Sequence, residues 1–214
     1  MGAGPLPVDE HRRRPPIPIV PVDERARADA LARGADDHGA WLAGVTTEPR
    51  VRAIDTTDVE VLDTTLAARR DTPGMSVGEV ALAVDTGRAL AADAAADGVG
   101  VLVARAPAGR DDTAARALAG SLAAGGEHGP LGALRRLGDA STAVLCGVAL
   151  GAGEQGLGCV CDGLAALAGA AVAVGIEPDL RPRVIAVRRP DDPAHEALVA
   201  HLAIATTSGA DRAA

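Results

Sequence analysis

The 214-residue sequence has no Phe and no Tyr, a single Trp, and neither Lys nor Asn at any position. Each gap excludes something. Without Lys there is no Schiff-base chemistry, no attachment point for pyridoxal phosphate and no phosphate-cradling P-loop lysine. Without Phe or Tyr there is no aromatic platform on which single-stranded nucleic acid could stack. All 21 basic side chains are Arg, against 29 Asp and Glu, and the formal net charge of -8 argues against a phosphate-backbone binder. The missing types are those with AT-rich codons, which points to a GC-rich genome. Cysteine is also scarce. Cys146, Cys159 and Cys161 make an odd count with one C-x-C pair, which fits a reduced, cytoplasmic chain better than a disulfide framework. The five His residues (His11, His38, His128, His195, His201) form no zinc-ligand spacing with them, so no metal and no other cofactor is expected.

What is present is apolar and small. Hydrophobic residues make up 48% of the chain and charged residues 23%, which excludes intrinsic disorder. The core must be built from Ala, Val and Leu, which bury less area per residue than aromatics do. Arg12-Arg13-Arg14 would suit a twin-arginine signal, but Pro15, Pro16, Pro18 and Pro21 break the stretch that follows. The longest apolar run, Gly163 to Gly175, is too short to span a bilayer.

The organisation reads as a Pro-rich tail over 1–22, one α/β domain over 23–205 and a flexible C-terminal tail over 206–214. A short helix is expected from Asp23 to Arg33 and a strand from Val51 to Ile54. Ser76-Val77-Gly78-Glu79 is a capping box, and Val77, Val80, Ala81 and Val84 recur at helical spacing, so a helix is expected to run to Gly98. Val99 to Ala104 is a buried strand, and Asp111-Asp112-Thr113 opens a helix closing at Gly125-Gly126. Helices follow from Leu131 to Leu137 and from the cap Asp139 to about Glu154. Leu157 to Cys161 and Val184 to Val187 are strands, with an Ala-rich helix to Val174 between them, and Asp192-Pro193 opens a last helix. Short apolar strands alternating with helices predict a three-layer, mostly parallel (Rossmann-like) sheet with Ala/Gly-rich helices on both faces. Gly147-x-x-x-Gly151 allows close helix approach, either within the chain or at a dimer face.

In parallel sheets ligands sit beyond the carboxyl ends of strands. Two turns there stand out: Arg105 to Thr113, and Cys161-Asp162-Gly163. A third polar segment, Asp37-His38-Gly39, pairs a His with an acid, as a general base or a satisfied loop His would. Asp162 suits either a helix cap or a ligand contact, Thr113 the start of its helix, and His195 the first turn of the last one. No G-x-S-x-G elbow and no G-x-G-x-x-G after a strand is present.

The order of segments resembles a known family. Asp37 to Pro49 (D-H-G-A-W-L-A-G-V-T-T-E-P) is similar to D-H-G-V-A-A-E-G-V-S-A-Y-P of the nicotinate-nucleotide:dimethylbenzimidazole phosphoribosyltransferases, with six identities and no gap. Thr72 to Ser76 resembles that family's E-G-P-A-M-T. Gly138 to Gly163 is similar to its L-G-G, L-G-A-A and L-D-G-F segments, and Arg189 to His195 to its R-S-A-E-P-G-H. The resemblance covers roughly residues 22–202 and marks a shortened, divergent member. It implies a soluble transferase of cobalamin assembly that moves phosphoribosyl from nicotinate mononucleotide to dimethylbenzimidazole. It implies a dimer too, either of two identical chains or mixed with a full-length relative. The substrate-binding positions it implies are Asp37, His38, Gly39, Gly44, Thr46, Gly109, Thr113, Asp162 and Gly163.

Two departures bear on activity. The family's G-E-M-G-I-G-N-T-T phosphate loop is replaced by Arg105 to Thr113, which keeps Gly109 and Thr113 and puts Asp111-Asp112 in place of Asn-Thr, as internal caps. At about 4 Å each carboxylate–phosphate pair would cost about 4 kcal/mol at an effective dielectric of about 20. The family's G-E-G-T-G-A loop, with its general-base Glu, has no counterpart before Ala214, so no catalytic residue is assigned. Three expectations follow: a minimal enzyme with His38 or Asp162 as its base, a non-catalytic relative that works with a full-length chain, or a small-molecule-binding α/β module.

Overall fold

The computed structural model describes residues 50–56, 73–106, 112–126, 128–187, 189 and 191–207. The expected tail, the Asp23–Arg33 helix, Asp37-His38-Gly39, Gly44, Thr46, Gly109 and Asp111 lie outside them.

Strand β1 (Val51–Asp55) is followed by α1 (Val77–Ala96), β2 (Val101–Arg105), α2 (Thr113–Ala123), α3 (Gly129–Leu137) and α4 (Ala140–Glu154). Then come β3 (Gly158–Asp162), α5 (Leu164–Ile176), a 3-10 segment (Pro178–Arg183), β4 (Val184–Val187), α6 (Pro193–Leu202) and β5 (Thr206–Thr207). Local chemistry sets the helix starts. Ser76 Oγ accepts from the Glu79 N–H at 3.2 Å while Glu79 Oε2 accepts from the Ser76 N–H at 2.7 Å, closing the capping box of α1. Asp139 caps α4 by accepting from the Thr142 N–H at 2.8 Å. Asp192 caps α6, whose first residue is Pro193.

The sheet is parallel throughout, in the order β1-β2-β3-β4-β5, with Val51 opposite Val101, Val101 opposite Gly158, Cys159 opposite Val184 and Ala186 opposite Thr206. The parallel α/β expectation therefore holds. The sheet gains β5 at residues expected to lie in the C-terminal tail, because two residues of backbone pairing need no apolar signal.

Helix placement is one-sided among the described elements. Ile54, Leu102, Ala104, Cys159, Cys161, Val184 and Ala186 share one core cluster with all the described α-helices. Val101, Val160 and Ile185, on the opposite face, form a separate buried cluster with Val51, Val103 and Val187, and no described helix joins it. The reason is topological. Right-handed crossovers between strands laid down in sequential order all fall on the same face. In this strand order the helices that connect consecutive strands, among the described residues, all lie on one face.

Small residues let the helices close in. A Cβ added at Gly87 would fall inside 3.0 Å of the Val144 carbonyl, and one at Gly147 inside 3.0 Å of the Val84 carbonyl. The Gly147-x-x-x-Gly151 pair thus serves packing of α4 on α1 within the chain. Helix α6 ends at Ala203, whose φ of 50° is left-handed and unusual for a residue with a Cβ. Ala203→Gly is expected to raise stability by about 1 kcal/mol, read as a higher urea midpoint; an unchanged or lower midpoint would refute the strain.

Candidate functional site

The described strands all point one way, so their carboxyl ends form a single rim with the loops that follow them. Asp55, Arg105 and Asp162 stand in register across β1, β2 and β3. Arg105 Nε donates to Asp55 Oδ2 at 3.1 Å and Arg189 Nη2 to Asp162 Oδ1 at 3.0 Å. Arg116, in the first turn of α2, donates to both carboxylate oxygens of Asp192 at 2.8 and 3.3 Å. The rim is thus a row of Arg–carboxylate pairs, and it ties the start of α2 to the start of α6.

Asp192 has two tasks. Its Oδ1 also accepts from the N–H groups of Ala194 and His195, at 3.1 and 3.4 Å. Burial alone would raise its pKa; the Arg116 hydrogen bonds and charge and the two backbone donors outweigh this and lower it. The same pairing raises the Arg116 pKa.

The β3–α5 turn is built differently. Gly163 is the cap residue of α5, with φ of 105° and no side-chain cap bond. A Cβ there would lie 3.7 Å from Arg189 Nη2, and L side chains rarely adopt its backbone conformation, so glycine is required. The Asp162 carboxylate engages Arg189. Asp112 occupies the cap position of α2 but makes no cap bond, contrary to the internal capping expected of it. Thr113 begins α2 as expected.

His195 sits in the first turn of α6, as the sequence indicates, but it is buried, with 1% of its surface exposed. Its Nε2 is buried and has no hydrogen-bond partner among the described residues. Burial and then the nearby Arg189 charge lower its pKa, against a smaller opposing pull from Asp192. The sign follows. The unfolded chain takes up the proton first, so the stability contributed by the neutral ring is complete above about pH 6.5 and is lost as pH falls through the lower folded value. Urea midpoints measured from pH 8 to pH 5 should be level and then fall below about 6.5; a midpoint that rises there would contradict the assignment.

The cysteines take no part in these ion pairs. All three are free and buried. Burial pushes the Cys146 thiol up to about 12, and Cys161 is raised by its hydrogen bond to Cys159 and by burial. The Cys146 and Cys161 thiols are therefore inert at neutral pH. Among the described residues no cluster of His, Cys, Asp and Glu could hold a metal ion, and no helix is long and apolar enough to cross a membrane.

Comparison with known proteins adds three findings. Residues 108–209 match the family model described as Phosphoribosyltransferase. The chain is 37% identical over 90 residues to the nicotinate-nucleotide–dimethylbenzimidazole phosphoribosyltransferase of Aromatoleum aromaticum, a match over 42% of this chain and 26% of that protein. The crystal structure of the Thermus thermophilus nicotinate-nucleotide-dimethylbenzimidazole phosphoribosyltransferase superimposes with a TM-score of 0.56 at 25% identity, over 63% of this chain and 49% of that one. A crystal structure of CobT from the same organism gives 0.57 at 24% identity, over 63% and 50%, and so bears on the fold. The chain spans about a quarter of the length of the curated relative and about half that of the solved structures.

Proposed function

We infer that this chain, a divergent member of the nicotinate-nucleotide:dimethylbenzimidazole phosphoribosyltransferase family by its match over residues 108–209, holds a nucleotide and an aromatic base at the carboxyl rim of its sheet. One coincidence carries the reading. The matched stretch contains the start of α2, the Asp139 cap, the β3–α5 turn and the β4–α6 loop. The proposed reaction is transfer of phosphoribosyl from nicotinate mononucleotide to dimethylbenzimidazole, a step of cobalamin assembly. The proposed contacts are Asp37, His38, Gly39, Gly44, Thr46, Gly109, Thr113, Asp162 and Gly163, within one unit spanning 23–205. Three unpaired thiols fit a reducing, cytoplasmic compartment.

The chain alone is proposed to be weak or inactive. Asp111 and Asp112 place two carboxylates before α2, where an anionic phosphate would otherwise meet free N–H groups and the helix dipole. The same feature favours a second reading, a non-catalytic chain that pairs with a full-length relative. Asp111→Asn combined with Asp112→Thr is expected to tighten nicotinate mononucleotide binding about tenfold or more by calorimetry. Unchanged affinity would remove this loop from the site.

The test of function is direct. The protein is mixed with nicotinate mononucleotide and dimethylbenzimidazole, and nicotinate release is followed. Absence of turnover at high protein concentration sinks the active reading, and turnover restored or altered by adding a full-length relative supports the second.

A further inference from the structure

We propose that Arg116 holds the phosphate of the nucleotide, taking two of its oxygens in the guanidinium fork that otherwise carries Asp192. The inference rests on the phosphoribosyltransferase reading above. It supplies a cation four residues after Asp112, where the sequence puts two carboxylates into the family's phosphate loop.

Three observations lead to it. The first is position. Arg116 lies in the first turn of α2, and its guanidinium reaches Asp192, the residue just before α6. The group therefore stands at the carboxyl rim, between the starts of two helices. Helix α2 packs on both α5 and α6, which fixes the point from which the side chain extends.

The second is shape. Nη1 and Nη2 of Arg116 donate to Oδ1 and Oδ2 of Asp192 at 2.8 and 3.3 Å, a two-pronged pairing. A phosphate monoester offers the same pair of oxygens with more charge. Arg105 and Arg189 each meet their aspartate through one nitrogen only, so neither shows this fork.

The third is availability. The Arg116 side chain is 50% exposed, and an ion pair so open to water is held weakly. Asp192 can let go without being stranded. Its Oδ1 also accepts from the N–H groups of Ala194 and His195, so α6 stays capped when the guanidinium turns to a ligand.

Calorimetry on the full chain compares nicotinate mononucleotide with nicotinate riboside, which lacks the phosphate, and adds ribose 5-phosphate as a third probe. The wild type is expected to bind ribose 5-phosphate and to favour the nucleotide over the nucleoside by about tenfold. Arg116→Gln should abolish that preference. Asp192→Asn should raise nucleotide affinity by about two- to fivefold, because asparagine keeps the cap of α6 but no longer competes by charge for Arg116.

Both variants break one ion pair, which separates the proposal from a structural role. A mere tie between α2 and α6 would lower the thermal midpoint in both and weaken nucleotide and nucleoside alike. Opposite shifts in nucleotide affinity support the proposal. Equal binding of nucleotide and nucleoside by the wild type, no binding of either, a preference that survives Arg116→Gln, or a weaker nucleotide affinity in Asp192→Asn overturns it. If the preference is lost in Arg116→Gln but the wild type releases no nicotinate, the transferase reading fails while the phosphate role of Arg116 stands. Nicotinate release with a preference that survives Arg116→Gln has the reverse meaning.

Discussion

Gly147→Ala is expected to destabilise the protein by about 3 kcal/mol or more. The new carbon would fall inside 3.0 Å of the Val84 carbonyl carbon and oxygen and of the Val84 Cα, all backbone atoms that no rotamer change can move. The contact is reciprocal. Gly87 meets the backbone of α4 at Val144, Gly147 and Val148, and Gly151 meets α1 at Arg88 and Ala91. Helices α1 and α4 can therefore yield only by separating, and α4 rests on both the sheet and α5. Interiors packed at crystal density transmit such a displacement instead of absorbing it. Urea unfolding of the variant should show a much lower midpoint; a midpoint within about 0.5 kcal/mol of wild type would mean that the helices are not in backbone contact.

Asp139→Ala should cost about 2–3 kcal/mol, whereas Asp139→Asn should cost less than about 1 kcal/mol. Asp139 is 0% exposed, and its Oδ1 accepts from the Thr142 N–H, which is itself buried. Alanine removes the cap and leaves that donor without an acceptor in an apolar setting, so the loss of the cap and the cost of an unsatisfied group add. Asparagine ranks with aspartate as a cap and retains the acceptor. The pair of variants separates the hydrogen bond from the charge. Equal losses in both would assign the effect to the carboxylate charge rather than to the cap.

Helix starts were legible because their chemistry is local. The Ser76–Glu79 box, Asp139 and Asp192-Pro193 each lie within a few residues of the turn they set, and all appear where their spacing places them. Strand β4 occupies the expected Val184–Val187 because its apolar run is bounded by charged residues on both sides. Features that depend on distant parts of the chain were not legible. The 3-10 segment Pro178–Arg183 carries no periodic pattern, and β5 exists only as a ladder against β4. One-sided helix placement follows from strand order, which periodicity does not encode. At the rim, Asp162 was readable as a polar residue ending a strand, but its engagement with Arg189 joins residues 27 apart in sequence. The burial of His195 has the same origin. Its place in the first turn was apparent, while its environment is assembled from Val187, Arg189 and Asp192 around it.

The one-sided winding also orients the electric field of the molecule. Every strand runs the same way, and α1, α2, α4, α5 and α6 run back against them, so these helices present their amino ends at the carboxyl rim, each worth roughly half a positive charge. Asp112, Asp139 and Asp192 stand at the cap positions just before three of those helices, with Asp55 and Asp162 closing two of the strands. The rim carboxylates are in this sense the counter-charge of the fold. Any anion that binds there displaces a neutralisation already in place, and selectivity at the rim becomes a matter of exchange between anions.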